Sequence, residues 1–164
     1  MGQWIERVYA EHRQGLFSLA LAIVGVREDA EDAVHEAFAR LCRVSTNGLA
    51  DPTAYVYGAV RNAALDRVRS SQAASRAVSS LFRSMASPTG DPITALLDQE
   101  RDRQVQAAVE ALPAEKREVV VMKLYGQLTF AQVAAVLEEP LSTVATRYQR
   151  ALEELRELLE AKSP

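Results

Sequence analysis

The stretch that decides the fold is TFAQVAAVLEEPLSTVATRYQRALEEL, residues 129–155. Its apolar residues recur at intervals of three and four in two successive runs, which is the period of an amphipathic helix. Thr129 is placed to cap the first helix. Pro140 breaks the pattern before Ser142 and Thr143, which are predicted to cap the second helix. The stretch therefore predicts two helices joined by a tight turn.

This pair of helices is typical of a helix-turn-helix, whose second helix enters the major groove of DNA. The small residue Ala134 lies where the two helix axes would approach each other. An ordinary helical hairpin gives the same pattern, with its arginines on a solvated face. Glu138 and Glu139 occupy the turn and would repel phosphates, so the unit alone should bind DNA poorly. The predicted DNA-facing residues are Ser142, Thr143, Thr146, Arg147 and Arg150.

The rest of the chain continues the helical period, and no segment alternates as a strand would. The helices are predicted over 4–24, with a break near Gly15, and over 27–43, 52–69, 92–112 and 114–125. Ser and other small residues dominate the stretch before the run SPTGDP at 87–92, which predicts a linker with at most a short helical piece at 78–85. The predicted fold class is all-α. Two small helical domains, 1–70 and 96–164, are joined by a flexible linker, 71–95, and the C-terminal domain is the helix-turn-helix.

The composition limits the possible functions. Nineteen Lys and Arg face 22 Asp and Glu among 164 residues, a net charge of −3, so DNA binding would need a local patch or a partner. Cys42 is the single cysteine, and the two histidines lack neighbouring metal ligands, so neither a disulfide, a metal nor a cofactor is expected. No apolar run approaches the roughly 20 residues of a membrane span. The single cysteine fits a reducing, cytoplasmic setting. Without a phosphate loop or a nucleophile–base pair, a non-catalytic protein is expected.

Three segments resemble the extracytoplasmic-function sigma factors of bacterial RNA polymerase, the fourth group of the sigma-70 family. They are DAEDAVHE at 29–36, AVRNAALDRVR at 59–69 and LPAEKREVVVMKLYG at 112–126, which leads into the helix-turn-helix. The resemblance implies a sigma factor that directs RNA polymerase to specific promoters and initiates transcription. It implies core RNA polymerase, promoter DNA and an anti-sigma factor as partners. The alternative is a sigma-like regulatory protein that binds an anti-sigma factor or polymerase without reading the upstream promoter element.

The first segment resembles the family helix that docks on the polymerase clamp. His35 stands where the family usually has Gln. Exposed carboxylates can pair with basic residues of a partner and orient it, although a solvated amphipathic face would have the same pattern. The polymerase-binding residues that the resemblance implies are Asp29, Glu31, Asp32, His35 and Glu36.

The second segment resembles the helix that melts and captures the downstream promoter element. Arginines and an amide can hold phosphates and base edges, and tyrosines can stack on bases. Two alternatives remain open: Asp66 pairs only with a nearby arginine, and one of the tyrosines belongs to the core. The implied DNA-binding residues are Tyr55, Tyr57, Arg61, Asn62, Asp66, Arg67 and Arg69.

The third segment resembles the domain that reads the upstream promoter element, but the turn departs from the family. Glu138 and Glu139 replace the usual Gly and aliphatic residue, and Ala145 replaces a basic residue. A non-glycine residue with positive φ in this turn would cost on the order of 1 kcal/mol. Reading of the upstream element is therefore the least well supported of the implied roles.

Overall fold

A computed structural model describes residues 2–45, 48–75 and 92–162. Every regular element in these ranges is an α-helix, which confirms the all-α prediction. The helices are α1 Gln3–Val24, α2 Arg27–Leu41, α3 Pro52–Ser75, α4 Pro92–Ala111, α5 Ala114–Leu124, α6 Phe130–Leu137 and α7 Leu141–Ala161.

Local signals set the helix ends in the first half of the chain. Gly25 ends α1 in the left-handed conformation, with φ 76°, and its amide donates to the Leu21 carbonyl. Only glycine adopts this conformation without a steric penalty. Asp51 begins α3, because its Oδ1 accepts a hydrogen bond of 3.0 Å from the Ala54 amide, and Pro52 takes the first helical position.

Several predicted boundaries are wrong. α1 runs unbroken through Gly15, because this glycine allows a close approach by another segment and does not end the helix. α3 continues to Ser75, beyond its predicted end at Arg69, whereas α4 begins at Pro92 as predicted. Residues 71–75 and 92–95 of the predicted linker are therefore helical. The short helical piece predicted at 78–85 lies outside the described residues. Ser142 and Thr143 do not cap α7, because Pro140 holds the N-cap position and both residues lie inside the first turn.

The helices form two groups that share one continuous core. α1, α2 and α3 pack against one another, while α5 packs on α6 and α7, and α4 packs on α7. The groups meet where α1 contacts α5 and α3 contacts α6. Fully buried side chains in the two groups include Leu16, Leu19, Val56, Val60, Met122, Leu128, Val133 and Val144.

Candidate polymerase-binding and nucleic-acid-binding surfaces

The helix-turn-helix is built as the sequence predicts. The Thr129 hydroxyl accepts from the Gln132 amide at 3.1 Å, and the Gln132 side chain accepts from the Thr129 amide at 2.9 Å. This reciprocal capping box satisfies two amides that α6 leaves unpaired. Glu138 ends α6 with φ 55°, in the left-handed conformation, and its amide donates to the Ala134 carbonyl. Glu138 stands where the family usually has Gly, and its positive φ is the backbone conformation that favours Gly.

α7 presents the predicted DNA-facing residues along one side. Ser142, Thr143, Thr146 and Arg150 are exposed, and together with Arg147 they line an open groove beside α5. Hydroxyls and a guanidinium on the first turns of such a helix are groups that bind phosphates and base edges.

Carboxylates already neutralise part of this face. The Arg147 side chain is only 17% exposed, and its Nη2 lies 2.7 Å from Glu139 Oε2 and 3.9 Å from Glu115 Oε2. Lys116, which also lines the groove, pairs with Glu154. Arg147 would have to exchange these partners for a phosphate, which would offset part of the gain from phosphate binding.

Of the two tyrosines predicted to stack on bases, only Tyr55 is exposed on α3. Tyr55 is 41% exposed, whereas Tyr57 has no exposed surface and cannot stack on a base in this conformation. The Tyr57 ring meets the edge of His12, and its hydroxyl lies 3.4 Å from His12 Nδ1. Burial raises the pKa of the Tyr57 phenol well above its usual value. Tyr57 is therefore the core tyrosine that the sequence left open.

Arg61 pairs across the boundary between the two helix groups. Its Nε lies 2.5 Å from Glu118 Oε2 on α5, and the two side chains are 25% and 10% exposed. Further along α3, Arg69 Nη1 lies 3.3 Å from Asp66 Oδ1 at the surface, the local pairing that was the alternative for Asp66. Asn62, Asp66 and Arg69 are exposed.

Arg67 joins the two predicted sites of the first helix group. Its guanidinium contacts three carboxylates on α2, which we call the acid cluster: Asp29 at 3.4 Å, Asp32 at 3.3 Å and Glu36 at 4.0 Å. Arg67, which was predicted to bind DNA, thus forms ion pairs with carboxylates that were predicted to bind polymerase. The remaining members of the predicted polymerase site, Glu31 and His35, are exposed.

Sequence reasoning missed the residues that connect the two groups. Gln132 Nε2 donates to Asp51 Oδ2 at 3.0 Å, and Arg117 Nη1 donates to the Ala22 carbonyl at 3.0 Å. Arg117 also donates to the Glu110 and Leu112 carbonyls, at 2.7 and 2.8 Å. The partners of the bonds to Asp51 and to Ala22 lie far apart in the sequence, so no local pattern pointed to them.

In the described parts of the chain, no helix has the length and apolar character needed to cross a bilayer. No group of three or more His, Cys, Asp or Glu side chains in those ranges is arranged to hold a metal ion.

Comparison with known proteins identifies the family. Residues 8–74 match the family model described as Sigma-70 region 2, and residues 102–155 match that described as Sigma-70, region 4. The ECF RNA polymerase sigma factor SigK of Mycolicibacterium vanbaalenii is 38% identical over 98 residues, 58% of this chain and 50% of the relative. The chain belongs to the extracytoplasmic-function sigma factors. Region 2 thus lies in the first helix group and region 4 in the second.

Two other similarities cover nearly the whole sigma factor chain. The ECF RNA polymerase sigma factor SigE of Mycolicibacterium smegmatis is 28% identical over 161 residues, 97% of this chain and 62% of the relative. The chain thus spans about half to three fifths of the length of these two relatives. The sigma factor RpoE of Bartonella quintana, solved in complex with the anti-sigma factor NepR, has the same fold. It superposes with a TM-score of 0.70 at 19% identity, covering 98% of this chain and 97% of that one.

Proposed function

We propose that this chain is a promoter-recognition subunit of RNA polymerase. Region 2 binds the core enzyme through α2 and the downstream promoter element through α3, and region 4 presents α7 to the upstream element. The observation that carries the proposal is the outward placement of both sets of residues. Glu31, Asp32 and His35 are exposed on α2, and Ser142, Thr143, Thr146 and Arg150 are exposed on α7.

The α2 surface is suited to a basic partner. Asp32 is 58% exposed and Glu31 is 47% exposed, so both carboxylates can reach arginines or lysines on another protein. Exposed charge of one sign speeds and orients association more than it adds affinity. Arg67 on α3 pairs with Asp29 and Asp32 of the acid cluster and so restrains these side chains. This restraint supports a binding surface that is ordered before the partner arrives.

The proposed role is binding and not catalysis. A subunit of RNA polymerase acts where the polymerase is, so the proposed location is the cytoplasm. Tethering two weak DNA-binding modules on one large enzyme raises their effective concentration, and avidity can increase by ~10²-fold or more. This explains how a chain with net charge −3 can act on DNA. An anti-sigma factor is the proposed regulator, by analogy with the Bartonella quintana protein in its complex with NepR.

The decisive experiment mixes the purified chain with bacterial core RNA polymerase and a genomic DNA library. A stable complex on size-exclusion chromatography and promoter-specific transcripts are both expected. Asp32→Lys should weaken the complex by about tenfold or more, because it reverses an exposed charge on the docking face. Glu6→Lys, which reverses an exposed carboxylate on α1, is the matched control and should change affinity by less than about twofold. Equal effects of the two variants would remove α2 from the interface.

A second candidate is a sigma-like regulator that binds polymerase or an anti-sigma factor without reading the upstream element. The pairing of Arg147 with Glu139 favours it, because this arginine of the predicted upstream-element surface is occupied within the chain. The same experiment separates the two candidates. A complex that forms without any promoter-specific transcript supports the regulator.

A further inference from the structure

The residues of α3 that were predicted to bind DNA do not share one face of the helix. Four of them are exposed and follow one another at helical intervals, and we call them the exposed row: Tyr55, Asn62, Asp66 and Arg69. Arg67 lies outside this row, and its side chain is only 32% exposed. The helical period therefore separates Arg67 from the surface that the other residues form.

The side chain of Arg67 is turned toward α2. Arg67 follows Val60 and Ala63 on the same side of α3, and both of these residues are fully buried. Its Nη1 lies 3.4 Å from Asp29 Oδ1 and its Nη2 lies 3.3 Å from Asp32 Oδ2. The Nε atom is buried between the helices. In this position the guanidinium points at the acid cluster and away from the exposed row.

We propose that Arg67 is a positioning residue of the polymerase-docking surface and not a DNA contact. It fixes Asp29 and Asp32 in the orientation that a basic surface of the polymerase binds. The DNA-facing surface of α3 is then the exposed row alone. The inference rests on the proposed function, which supplies the basic partner, and it assigns Arg67 to one of the two surfaces of region 2.

Arg67 leaves each aspartate able to bind a second cation. A carboxylate has two oxygens and about four positions for hydrogen bonds, and the closest contacts of Arg67 are to one oxygen of each aspartate. The side chains of Asp29 and Asp32 remain 45% and 58% exposed, so they can also accept from an arginine or lysine of the partner. A side chain that is already restrained loses less conformational entropy on binding. The pairing thus favours a long-lived complex.

The same pairing lowers the net negative charge of the docking surface. Long-range attraction of a basic partner depends on that charge and sets the association rate, whereas short-range geometry sets the dissociation rate. Removal of the guanidinium should therefore speed dissociation without slowing association. A DNA contact would change neither rate with polymerase. A damaged fold would slow association, because fewer molecules would be competent to bind.

The first test measures both rates on immobilised core polymerase by surface plasmon resonance. Arg67→Gln should raise the dissociation rate by about threefold or more, and the association rate should not fall. Arg67→Lys keeps the charge but not the two-pronged geometry, so its dissociation rate should lie between those of Arg67→Gln and the unmodified chain. Arg7→Gln, which removes an exposed arginine of α1, is the matched control and should change either rate by less than about twofold.

A combined variant tests whether Arg67 acts through the two aspartates. The variant Asp29→Asn with Asp32→Asn should itself dissociate faster than the unmodified chain. Adding Arg67→Gln to it should change the dissociation rate by less than about twofold, because the carboxylates that Arg67 positions are already gone. Independent, multiplying effects would overturn the positioning role.

The second test measures the affinity for a fluorescent single-stranded oligonucleotide at low salt, where phosphate contacts are strongest. Arg69→Gln, in the exposed row, should weaken binding by about threefold or more, and Arg67→Gln should change it by less than about twofold. Equal losses in the two variants would return Arg67 to the DNA surface and overturn the inference.

The polymerase measurement also separates this inference from the proposed function. If the unmodified chain forms no complex with core polymerase, the proposed function fails and the docking role of Arg67 fails with it. If the unmodified chain binds and Arg67→Gln has the same two rates, only the role of Arg67 is overturned.

Discussion

Glu138 offers a direct test of the helix-turn-helix geometry. It ends α6 with φ 55° and ψ 41°, and its side chain is exposed. A non-glycine residue in this conformation costs roughly 1–2 kcal/mol. Glycine removes that cost but adds about 0.5–1 kcal/mol of conformational entropy to the unfolded chain. Glu138→Gly should therefore raise the free energy of unfolding by about 0.5–1 kcal/mol, or the midpoint temperature by roughly 1–4 °C.

The assay is urea and thermal unfolding followed by circular dichroism. Glu138→Ala is the matched control, because it removes the same carboxylate and keeps the steric conflict of a Cβ. It separates the backbone effect from the loss of a negative charge beside α7. The difference between the glycine and alanine variants should persist at high salt, since backbone sterics are not screened.

Equal stability of Glu138→Gly and Glu138→Ala would refute the reasoning, because the turn would then carry no measurable cost at this residue. A gain in both variants that disappears at high salt would show that charge alone determines the effect. Gln127, which also has positive φ at 53°, provides an independent repeat. Gln127→Gly should give a gain of similar size.

Three further predictions concern single residues. Arg67→Gln removes the only guanidinium that contacts Asp29 and Asp32 in the described chain, while Arg40 still pairs with Glu36, and thermal unfolding should show a loss of about 0.5–1 kcal/mol that shrinks as salt is added. Gln132→Ala removes the side-chain half of the capping box and the hydrogen bond to Asp51 but leaves the Thr129 cap, so urea unfolding should show a loss of about 1 kcal/mol, whereas Gln132→Glu should keep the capping box and lose the hydrogen bond to Asp51. Burial raises the pKa of Tyr57, so the folded chain keeps a proton that the unfolded chain loses above about pH 10, and stability must fall as pH rises beyond that point. Tyr57→Phe should flatten this alkaline loss in unfolding curves measured from pH 9 to pH 11.

The sequence allowed accurate prediction where the signals were local. The cap at Thr129, the turn at Glu138 and the end of α1 at Gly25 each depend on residues within one helical turn, and each is found where it was predicted. Gly15 was misread because a glycine inside a helical pattern indicates either a break or a close packing contact. Only the approach of Gly126, more than a hundred residues later, shows which applies.

The candidate sites were predicted less completely, for a related reason. The family resemblance made α2 and α3 candidate surfaces, and the helix-turn-helix pattern added α7. Neither showed which side chains are occupied within the chain. Tyr57 and Tyr55 lie two residues apart in the same helix, and one is fully buried while the other is 41% exposed. Their difference depends on α1 and on the loop after α5, which pack over only one of them.

The internal ion pairs change what the net charge implies. Arg61, Arg67, Arg69 and Arg147 all contact carboxylates of this chain, and Arg150 is the one predicted DNA-facing arginine without an ion pair in the described residues. Each occupied arginine must give up a carboxylate before it can neutralise a phosphate, so the counterion release that drives DNA binding is partly offset. An enzyme that holds both regions on DNA can supply the missing affinity by proximity. Under the proposed function, weak binding by the free chain would keep promoter recognition dependent on the polymerase.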